Sequence, residues 1–293
     1  MDSLIEYLDG KRQLVNTQLE NYVTANTDEG RVRDAMLYSI EAGGKRLRPI
    51  LLLATIEAFR GNPSKGLPVA CALEMIHTYS LIHDDLPAMD NDDVRRGQPT
   101  NHKKFDEATA ILAGDALLTL SFQIITDSND LTNDEKVFIV RELSKASGPK
   151  GMVNGQMKDM QYENHDIPLR ELEDIHRQKT GRLLNFAVLS GAYLAEADDQ
   201  VMDNLTAMAG ALGLIFQIQD DILDVVGDSH AIGKPIGSDE GNNKSTYPQL
   251  LGLEGAIAQK DGYVEVAQNA LHESGINGTT LSELIDYLSS RDR

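Results

Sequence analysis

The sequence is poor in cysteine and contains neither a long apolar run nor a targeting pattern. Cys71 is the only cysteine among 293 residues, which excludes an intramolecular disulfide and favours a reducing compartment. Its place in an apolar helical run predicts a small core residue. The N-terminus, Met1 to Glu6, is acidic and lacks a signal-peptide pattern, and we find no apolar stretch near the ~20 residues of a membrane span. We therefore expect a cytoplasmic protein without stable membrane insertion.

Positive charge is also scarce. Acidic residues outnumber basic ones by 46 to 27, which gives a net charge of −19. Such a chain repels nucleic acid and anionic membranes, so neither is expected as a partner. Ten of the 27 basic residues gather in four places, which are Lys45/Arg46/Arg48, Arg95/Arg96, Arg177/Lys179/Arg182 and Lys234/Lys244. Surface solvation explains any one pair, and we favour it for Arg46 and Arg177, but the set lies between acidic motifs and predicts anion binding.

Strand patterns are nearly absent, whereas apolar residues recur at helical spacing along the whole chain. The predicted helices cover about 2–25, 30–41, 47–60, 68–86, 105–127, 133–147, 150–163, 168–195, 199–226, 254–274 and 281–290. Thr132 and Glu135 form a predicted capping box. No Pro-, Gly- or Ser-rich linker divides the chain. The sequence therefore predicts an all-α, single-domain helical bundle over residues 1–293, with a central cavity.

An acidic segment, His83–Gly97, follows the apolar helix and contains five aspartates and an arginine pair. Pro87 prevents a regular helix from continuing into this segment. Asp84 and Asp85 therefore lie at the negative end of a helix dipole and repel each other. A bound divalent cation would offset this repulsion, and carboxylates that leave room for water and phosphate oxygens suit Mg²⁺. The alternative is a solvated acidic loop.

A second carboxylate pair lies far along the chain, at Asp220 and Asp224. On an ideal helix these two project about 40° apart, and Gln217 projects about 60° from Asp220, so all three share one face. Asp84 and Asp90 would be about 240° apart on a straight helix, and they converge only if the intervening Pro-Ala unwinds the chain. Two such clusters facing each other would hold several Mg²⁺ ions and a polyphosphate.

These motifs resemble those of the short-chain trans-isoprenyl diphosphate synthases. The resemblance rests on Asp84-Asp85-x-x-x-x-Asp90 with Arg95-Arg96-Gly97, on Asp220-Asp221-x-x-Asp224, on Gly43-Gly44-Lys45-Arg46-Leu47-Arg48-Pro49, on Lys179-Thr180-Gly181, and on Gly233-Lys234 through Asn243-Lys244-Ser245-Thr246-Tyr247-Pro248. One aspartate motif alone would be weak, but the five in this order are specific and cover nearly the whole chain. The resemblance implies an isoprenoid synthase fold and a homodimer.

The implied reaction is a 1'-4 condensation of isopentenyl diphosphate with dimethylallyl or geranyl diphosphate, which gives farnesyl diphosphate. The allylic diphosphate ionises, and about three Mg²⁺ ions, with Mn²⁺ as a substitute, neutralise its leaving group. The implied metal ligands are Asp84, Asp85, Asp90, Asp220 and Asp224. The implied contacts to the allylic diphosphate are Arg95, Lys179 and Lys234, with Lys244 as a further substrate contact. Isopentenyl diphosphate would be held by Lys45, Arg48, His77 and Arg96.

The resemblance also implies roles for the residues around the reacting carbons. Thr180 and Gln217 would turn oxygen dipoles toward the developing cation, with Lys179 as the third catalytic residue, and the Lys-Thr-Gly motif is predicted to kink its helix. The leaving diphosphate would take the proton. Tyr79 and Ser80 are predicted to set product length, because a bulky residue five positions before the first aspartate favours a fifteen-carbon product. Residues 227–248 are predicted to form a mobile lid.

Four alternatives remain open at this point. Geranylgeranyl diphosphate synthesis uses the same chemistry. A terpene cyclase needs no second diphosphate site, and Lys45, Arg48 and Arg96 argue against it. Non-catalytic synthase subunits typically lose aspartates from one motif, whereas both motifs are intact here. A helical acidic scaffold would release no diphosphate in the presence of Mg²⁺.

Overall fold

A computed structural model describes residues 2–226, 245–276 and 280–291. This part of the chain forms thirteen α-helices, a π-helical turn and a short hairpin. The helices before the hairpin are α1 (Asp2–Asn26), α2 (Arg31–Glu41), α3 (Leu47–Ala58) and α4 (Pro63–Asp84). The hairpin pairs β1 (Val94–Arg95) with β2 (Gln98–Pro99). It is followed by α5 (Asn101–Lys104), α6 (Glu107–Thr126), α7 (Asn133–Ser147), α8 (Met152–Gln161) and α9 (Leu169–His176).

The remaining helices follow the π turn (Arg177–Gly181). They are α10 (Arg182–Leu194), α11 (Asp199–Val226), α12 (Tyr247–Glu273) and α13 (Thr280–Ser290). The all-α prediction is confirmed. The chain divides into two compact units, of which unit 1 comprises Met1–Leu53 and Asn62–Arg141, and unit 2 comprises Ala54–Gly61 and Glu142–Arg293. The expectation of a single domain with a central cavity stays a prediction.

In unit 1, α4 packs against α6, and α2 packs against both. The predicted start of α4 at residue 68 is wrong, because Asn62 caps the helix by accepting the Ser64 N–H and Pro63 occupies the first turn. Pro68 therefore lies inside the helix. The helix ends at Asp84, as the proline that follows requires. Cys71 is fully buried, as predicted.

In unit 2, α11 is the central helix and contacts α9, α10, α12, α13 and the π turn. Its buried face joins a core of Ile175, Leu214, Ile218 and Tyr247. At the Lys-Thr-Gly motif, where the sequence predicts a kink, the regular helix is interrupted by the π turn. The predicted helix start at 254 is seven residues too late, because α12 begins behind a Thr246 capping box and then bends at residue 252.

Two helices contain longer apolar stretches than the sequence analysis allowed. Glu107–Thr126 has 20 residues and Asp199–Val226 has 28, and both meet the length and composition of a membrane span. Half of the residues in each apolar stretch are buried inside the fold, as in the core helices of soluble proteins. The expectation that no apolar stretch approaches the length of a membrane span is therefore wrong. Burial in the core explains both stretches.

The Thr132–Glu135 capping box is confirmed. The Thr132 N–H donates to Glu135 Oε2 at 2.8 Å, and the Glu135 N–H donates to Thr132 Oγ1 at 3.3 Å. This reciprocal pair satisfies two backbone donors at the start of α7.

Candidate active site

The first aspartate motif lies where α4 ends in unit 1. Beyond Asp84 the backbone turns back, so that the Asp90 N–H donates to the Asp84 carbonyl at 2.9 Å. Asn91 completes the turn with a positive φ of 53° and donates to the Leu86 carbonyl at 3.1 Å. The predicted unwinding that brings Asp90 to Asp84 is therefore confirmed. Both aspartates are partly exposed.

Asp85 differs from these two aspartates because it is 3% exposed and bound by an arginine. Arg95 Nε donates to Asp85 Oδ1 at 2.8 Å and to Oδ2 at 2.9 Å, and Arg95 Nη2 lies 2.6 Å from Oδ1. Burial opposes the charge of Arg95, but the hydrogen bonds that Arg95 donates to Asp85, together with the negative charge of Asp85, outweigh it and raise the pKa of Arg95. Asp85 is therefore the least accessible of the predicted metal ligands in this motif.

A group of basic residues, Arg48, His77, Arg95 and Arg96, lies beside the motif in the same unit. Arg48 Nη1 is 3.3 Å from His77 Nε2. The Arg96 guanidinium donates to the Gly43 carbonyl and lies flat against Gly44, where a Cβ would be 2.6 Å from Arg96 Nη2. The absence of a side chain at Gly44 thus leaves room for Arg96 in this position.

The electrostatics of this group favour an anion. Burial first, and then the charges of Arg48 and Arg96, hold the pKa of His77 well below its usual value, so the imidazole is neutral at pH 7. Desolvation is the main cause that lowers the pKa of Arg96 to about 10; the charges of Arg46, Arg95 and Arg48 act in the same direction, and that of Glu74 opposes them. A bound diphosphate would relieve this mutual repulsion. Lys45 is exposed and lies just before the start of α3.

Arg46 is not a surface residue, which corrects the sequence interpretation. It is 2% exposed, and its guanidinium donates to Glu74 Oε1 at 2.8 Å, to Asn16 Oδ1 at 2.8 Å and to the Ile40 carbonyl at 2.5 Å. These partners lie on three helices, so Arg46 links α1, α2 and α4 within unit 1. Arg177, the other residue assigned to solvation, has a side chain that is 47% exposed.

The two predicted chain-length residues follow one another on α4. Tyr79 is 7% exposed, and its ring meets the His83 ring edge-on at 5.7 Å between centroids. Burial and then Asp84 raise the pKa of Tyr79 to about 12, so its hydroxyl stays neutral. Ser80 Oγ donates to the carbonyl of His77 at 2.9 Å and therefore faces its own helix.

The predicted catalytic residues of unit 2 come together at the π turn. Thr180 Oγ1 donates to Gln217 Oε1 at 2.8 Å. Lys179 Nζ donates to Asp159 Oδ2 at 2.7 Å. The sequence analysis missed Asp159, which no local pattern marks because its contact with Lys179 joins residues 20 positions apart.

The second aspartate motif lies on α11, which stays helical to Val226, so Gln217, Asp220 and Asp224 share one face as predicted. Arg291 Nη2 lies 2.5 Å from Asp220 Oδ1, and the Arg291 guanidinium stacks 4.1 Å from the Phe216 ring. Asp221 is 6% exposed and accepts the Tyr247 N–H at 2.9 Å. Asp224 is partly exposed.

Some predictions remain outside what the structure tests. Lys234, Lys244 and most of the predicted lid lie outside the described residues. The facing of the two aspartate clusters across a cavity stays a prediction. Within residues 2–226, 245–276 and 280–291, no three carboxylate, imidazole or thiol groups form a ready-made metal site. Mg²⁺ is commonly bound by one or two carboxylates together with water and substrate phosphates, so this donor set suits it.

Known proteins resemble the chain along its whole length. Residues 29–278 match the family model described as polyprenyl synthetase. A farnesyl diphosphate synthase of Geobacillus stearothermophilus is 50% identical over 292 residues, which cover 99% of this chain and 98% of the relative. A chloroplastic geranylgeranyl pyrophosphate synthase of Catharanthus roseus is 44% identical and covers 98% of this chain and 81% of the relative. The apo crystal structure of an FPP/GFPP synthase from Zymomonas mobilis matches with a TM-score of 0.85 at 35% identity, over 98% of this chain and 99% of that one.

Proposed function

Because the chain belongs to the polyprenyl synthetase family, we propose that it is a trans-prenyltransferase that makes farnesyl diphosphate. It condenses isopentenyl diphosphate with dimethylallyl or geranyl diphosphate, 1'-4 and head to tail. The observation that carries this proposal is the end-to-end likeness to farnesyl diphosphate synthases, with both aspartate motifs intact in the sequence.

Isopentenyl diphosphate binds to Lys45 and to three members of the basic group of unit 1, Arg48, His77 and Arg96. Lys45, Arg48 and Arg96 supply positive charge, and the neutral His77 adds a hydrogen bond without adding further repulsion. The Arg96 guanidinium is held by the Gly43 carbonyl, so it is preorganised for a planar, bidentate contact with a diphosphate. A terpene cyclase would have no use for this second diphosphate site.

The allylic diphosphate binds to Arg95 and Lys179, with Lys234 and Lys244 as further contacts. Arg95 is fixed by Asp85, and Lys179 is fixed by Asp159. A carboxylate that holds a cation in place reduces the side-chain entropy lost when that cation binds substrate. The two pairs therefore prepare Arg95 and Lys179 for the diphosphate.

The family uses a divalent metal for prenyl transfer, and we assign it as Mg²⁺, about three ions, with Mn²⁺ as a substitute. Asp84, Asp85 and Asp90 would hold it in unit 1, with Asp85 the least available. Asp220 and Asp224 would hold it in unit 2. When bound, the metal neutralises the negative charge that develops on the leaving diphosphate.

The residues at the π turn act on the carbon that becomes positive. Thr180 and Gln217 direct oxygen lone pairs toward the developing cation, and their mutual hydrogen bond of 2.8 Å fixes both side chains. Lys179 holds the departing diphosphate close to the same carbon. No side chain is needed as a general base, since the diphosphate takes the proton lost after condensation.

Geranylgeranyl diphosphate synthesis is a second candidate, because relatives named for that product are 42–44% identical to this chain. Tyr79 favours the shorter product, since a bulky, buried side chain before the first aspartate leaves less room for a growing chain. Tyr79 and Ser80 remain the proposed chain-length residues.

We assign the protein as a cytoplasmic homodimer. Ile111 and Leu112 on α6 are 43% and 54% exposed, although they belong to one of the most apolar helices of the chain. Two adjacent apolar side chains on such a helix suit a subunit interface. No nucleic acid partner and no membrane insertion are proposed.

The direct test is incubation with isopentenyl diphosphate, Mg²⁺ and either dimethylallyl or geranyl diphosphate, with the products identified by mass. Farnesyl diphosphate is the expected main product from both starters. Omission of isopentenyl diphosphate is the control, and it should abolish all product. A cyclic hydrocarbon formed in that control would indicate a cyclase, and a twenty-carbon main product would favour the second candidate.

A further inference from the structure

The π turn meets the backbone of two helices at glycines. A Cβ at Gly155 on α8 would lie 2.2 Å from Lys179 N and 2.6 Å from Lys179 Cα. A Cβ at Gly213 on α11 would lie 2.9 Å from Gly181 Cα. In both places the obstacle is backbone and not the end of a flexible side chain. Any side chain at either glycine would therefore displace the turn.

Each glycine is followed, one helical turn later, by the residue that binds a side chain of the π turn. Asp159 comes four residues after Gly155 and accepts from Lys179 Nζ at 2.7 Å. Gln217 comes four residues after Gly213 and accepts from Thr180 Oγ1 at 2.8 Å. Residues four apart lie on the same helix face. On one face, each helix therefore has a glycine, where the π turn contacts its backbone, and a polar residue that binds a side chain of the turn.

The turn itself is a conformation that needs outside support. A π turn inserts one extra residue into a helix, is rarely stable by itself and often lies at a functional site. Asn154 adds a further link from α8, since its Nδ2 donates to Gln178 Oε1 at 2.6 Å. Contacts from both helices thus fix the turn and the side chains that it carries.

We propose that Gly155 and Gly213 are positioning residues for the prenyl transfer reaction. By lacking a side chain they set how closely the π turn approaches α8 and α11, and so where Lys179 Nζ and Thr180 Oγ1 lie. The inference rests on the proposed function, because it takes from it that Lys179 holds the allylic diphosphate and that Thr180 faces the developing cation.

The test compares Gly155→Ala and Gly213→Ala with Gly210→Ala. Gly210 lies on α11 near Gly213, and a Cβ there would meet nothing within 4 Å. All three substitutions give the helix the same gain in propensity, so only the contact differs. Gly210→Ala should keep wild-type kcat and KM. The other two should keep the wild-type circular dichroism spectrum.

The two positioning variants should differ in kinetics. Gly213→Ala should lower kcat by roughly 10- to 100-fold with little change in the KM for geranyl diphosphate, because Thr180 acts on charge that develops after binding. Gly155→Ala should raise that KM by about tenfold as well as lowering kcat, because Lys179 binds the ground-state diphosphate. The KM for isopentenyl diphosphate should stay within about twofold in both.

A double-mutant cycle separates positioning from a general structural defect. If Gly213 acts through Thr180, adding Gly213→Ala to Thr180→Ala should cost almost nothing further in kcat. Gly155→Ala should likewise add little to Lys179→Ala. Additive losses in both cycles, or loss of the fold in both glycine variants, would overturn the inference. If the wild type and Gly210→Ala make no prenyl product, the proposed function fails instead.

Discussion

The two aspartate pairs, Asp84-Asp85 in unit 1 and Asp220-Asp221 in unit 2, have the same arrangement of one accessible and one buried carboxylate. In each pair the first aspartate is partly exposed, and the second is buried in a contact that holds the fold. Asp85 is 3% exposed and Asp221 is 6% exposed. The partners differ, because Asp85 binds the Arg95 guanidinium and Asp221 binds the backbone N–H of Tyr247.

This difference shows which property of each buried aspartate matters. Asp85 must be charged, since it neutralises a partly buried arginine that the proposed function uses for substrate. The contact of Asp221 with the Tyr247 N–H at the start of α12 needs only an oxygen acceptor, since this amide is neutral. The first aspartates, Asp84 and Asp220, are the more exposed members of the two pairs, and the proposed function assigns them to the metal. Four predictions test this comparison.

The largest effect is expected from removing a first aspartate. Asp84→Ala and Asp220→Ala should each lower turnover by about a thousandfold or more, because several kcal/mol of transition-state charge stabilisation depend on the metal that each would hold. The fold should be preserved. The measurement is steady-state turnover with isopentenyl and geranyl diphosphates. The exposed Asp203 on α11 supplies the control Asp203→Ala, and near-normal rates in either test variant would contradict the comparison.

The residues five positions before the first aspartates should affect product length in the first region and not in the second. Tyr79 precedes Asp84 and Ile215 precedes Asp220, and both are buried. Truncation of either to alanine should lower the free energy of unfolding by about 2–5 kcal/mol, through lost burial and the cavity that remains. Only Tyr79→Ala should lengthen the product, measured by mass spectrometry. An unchanged product in Tyr79→Ala would show that another residue limits chain length.

Replacing the second aspartate of each pair with asparagine, its neutral isostere, should lower the free energy of unfolding by different amounts in the two motifs. Asp85→Asn should lower the free energy of unfolding by about 2–3 kcal/mol, which is less than for a fully buried pair because Arg95 keeps some exposure. Asp221→Asn should cost less than about 1 kcal/mol, since an amide oxygen still accepts the Tyr247 N–H. Urea unfolding measures both. Equal losses would mean that charge has the same importance in the two motifs.

The sequence predicted the parts of this site that depend on local rules. Pro87 dictated the unwinding that brings Asp90 to Asp84, and helical spacing placed Gln217, Asp220 and Asp224 on one face. Both results need no knowledge of which helices touch. The hydrogen bond between Thr180 and Gln217 was not among the predictions, since the family resemblance gave only their separate roles.

Long-range contacts were beyond the same reasoning. Arg46 was assigned to the surface because its partner Glu74 is 28 residues away, and periodicity does not pair residues across helices. Asp159 was missed because its role depends on Lys179 lying across from α8. The contact of Arg291 with Asp220 joins residues 71 positions apart, and no local pattern marks it.

Arg291 sharpens the comparison, because in the second motif an arginine contacts the first aspartate and not the second. The Arg291 side chain is 4% exposed while that of Asp220 is 42% exposed. An ion pair with one exposed partner is worth up to about 1 kcal/mol, which corresponds to roughly a fivefold change in an equilibrium constant. Because a guanidinium and a metal ion compete for the same carboxylate, Arg291→Gln should tighten metal binding by that factor.

Calorimetric titration of the protein with Mn²⁺ in the presence of inorganic pyrophosphate measures this effect without turnover. The matched control is Lys260→Gln, which removes the same charge from a residue that binds Gln219 Oε1 at 3.0 Å and the Ser289 carbonyl at 2.8 Å. Equal tightening in both variants would mean that net charge alone is responsible. Tighter Mn²⁺ binding in Arg291→Gln alone would show that Arg291 and the metal compete for Asp220. The second motif would then differ from the first, where Arg95 stays bound to the buried Asp85.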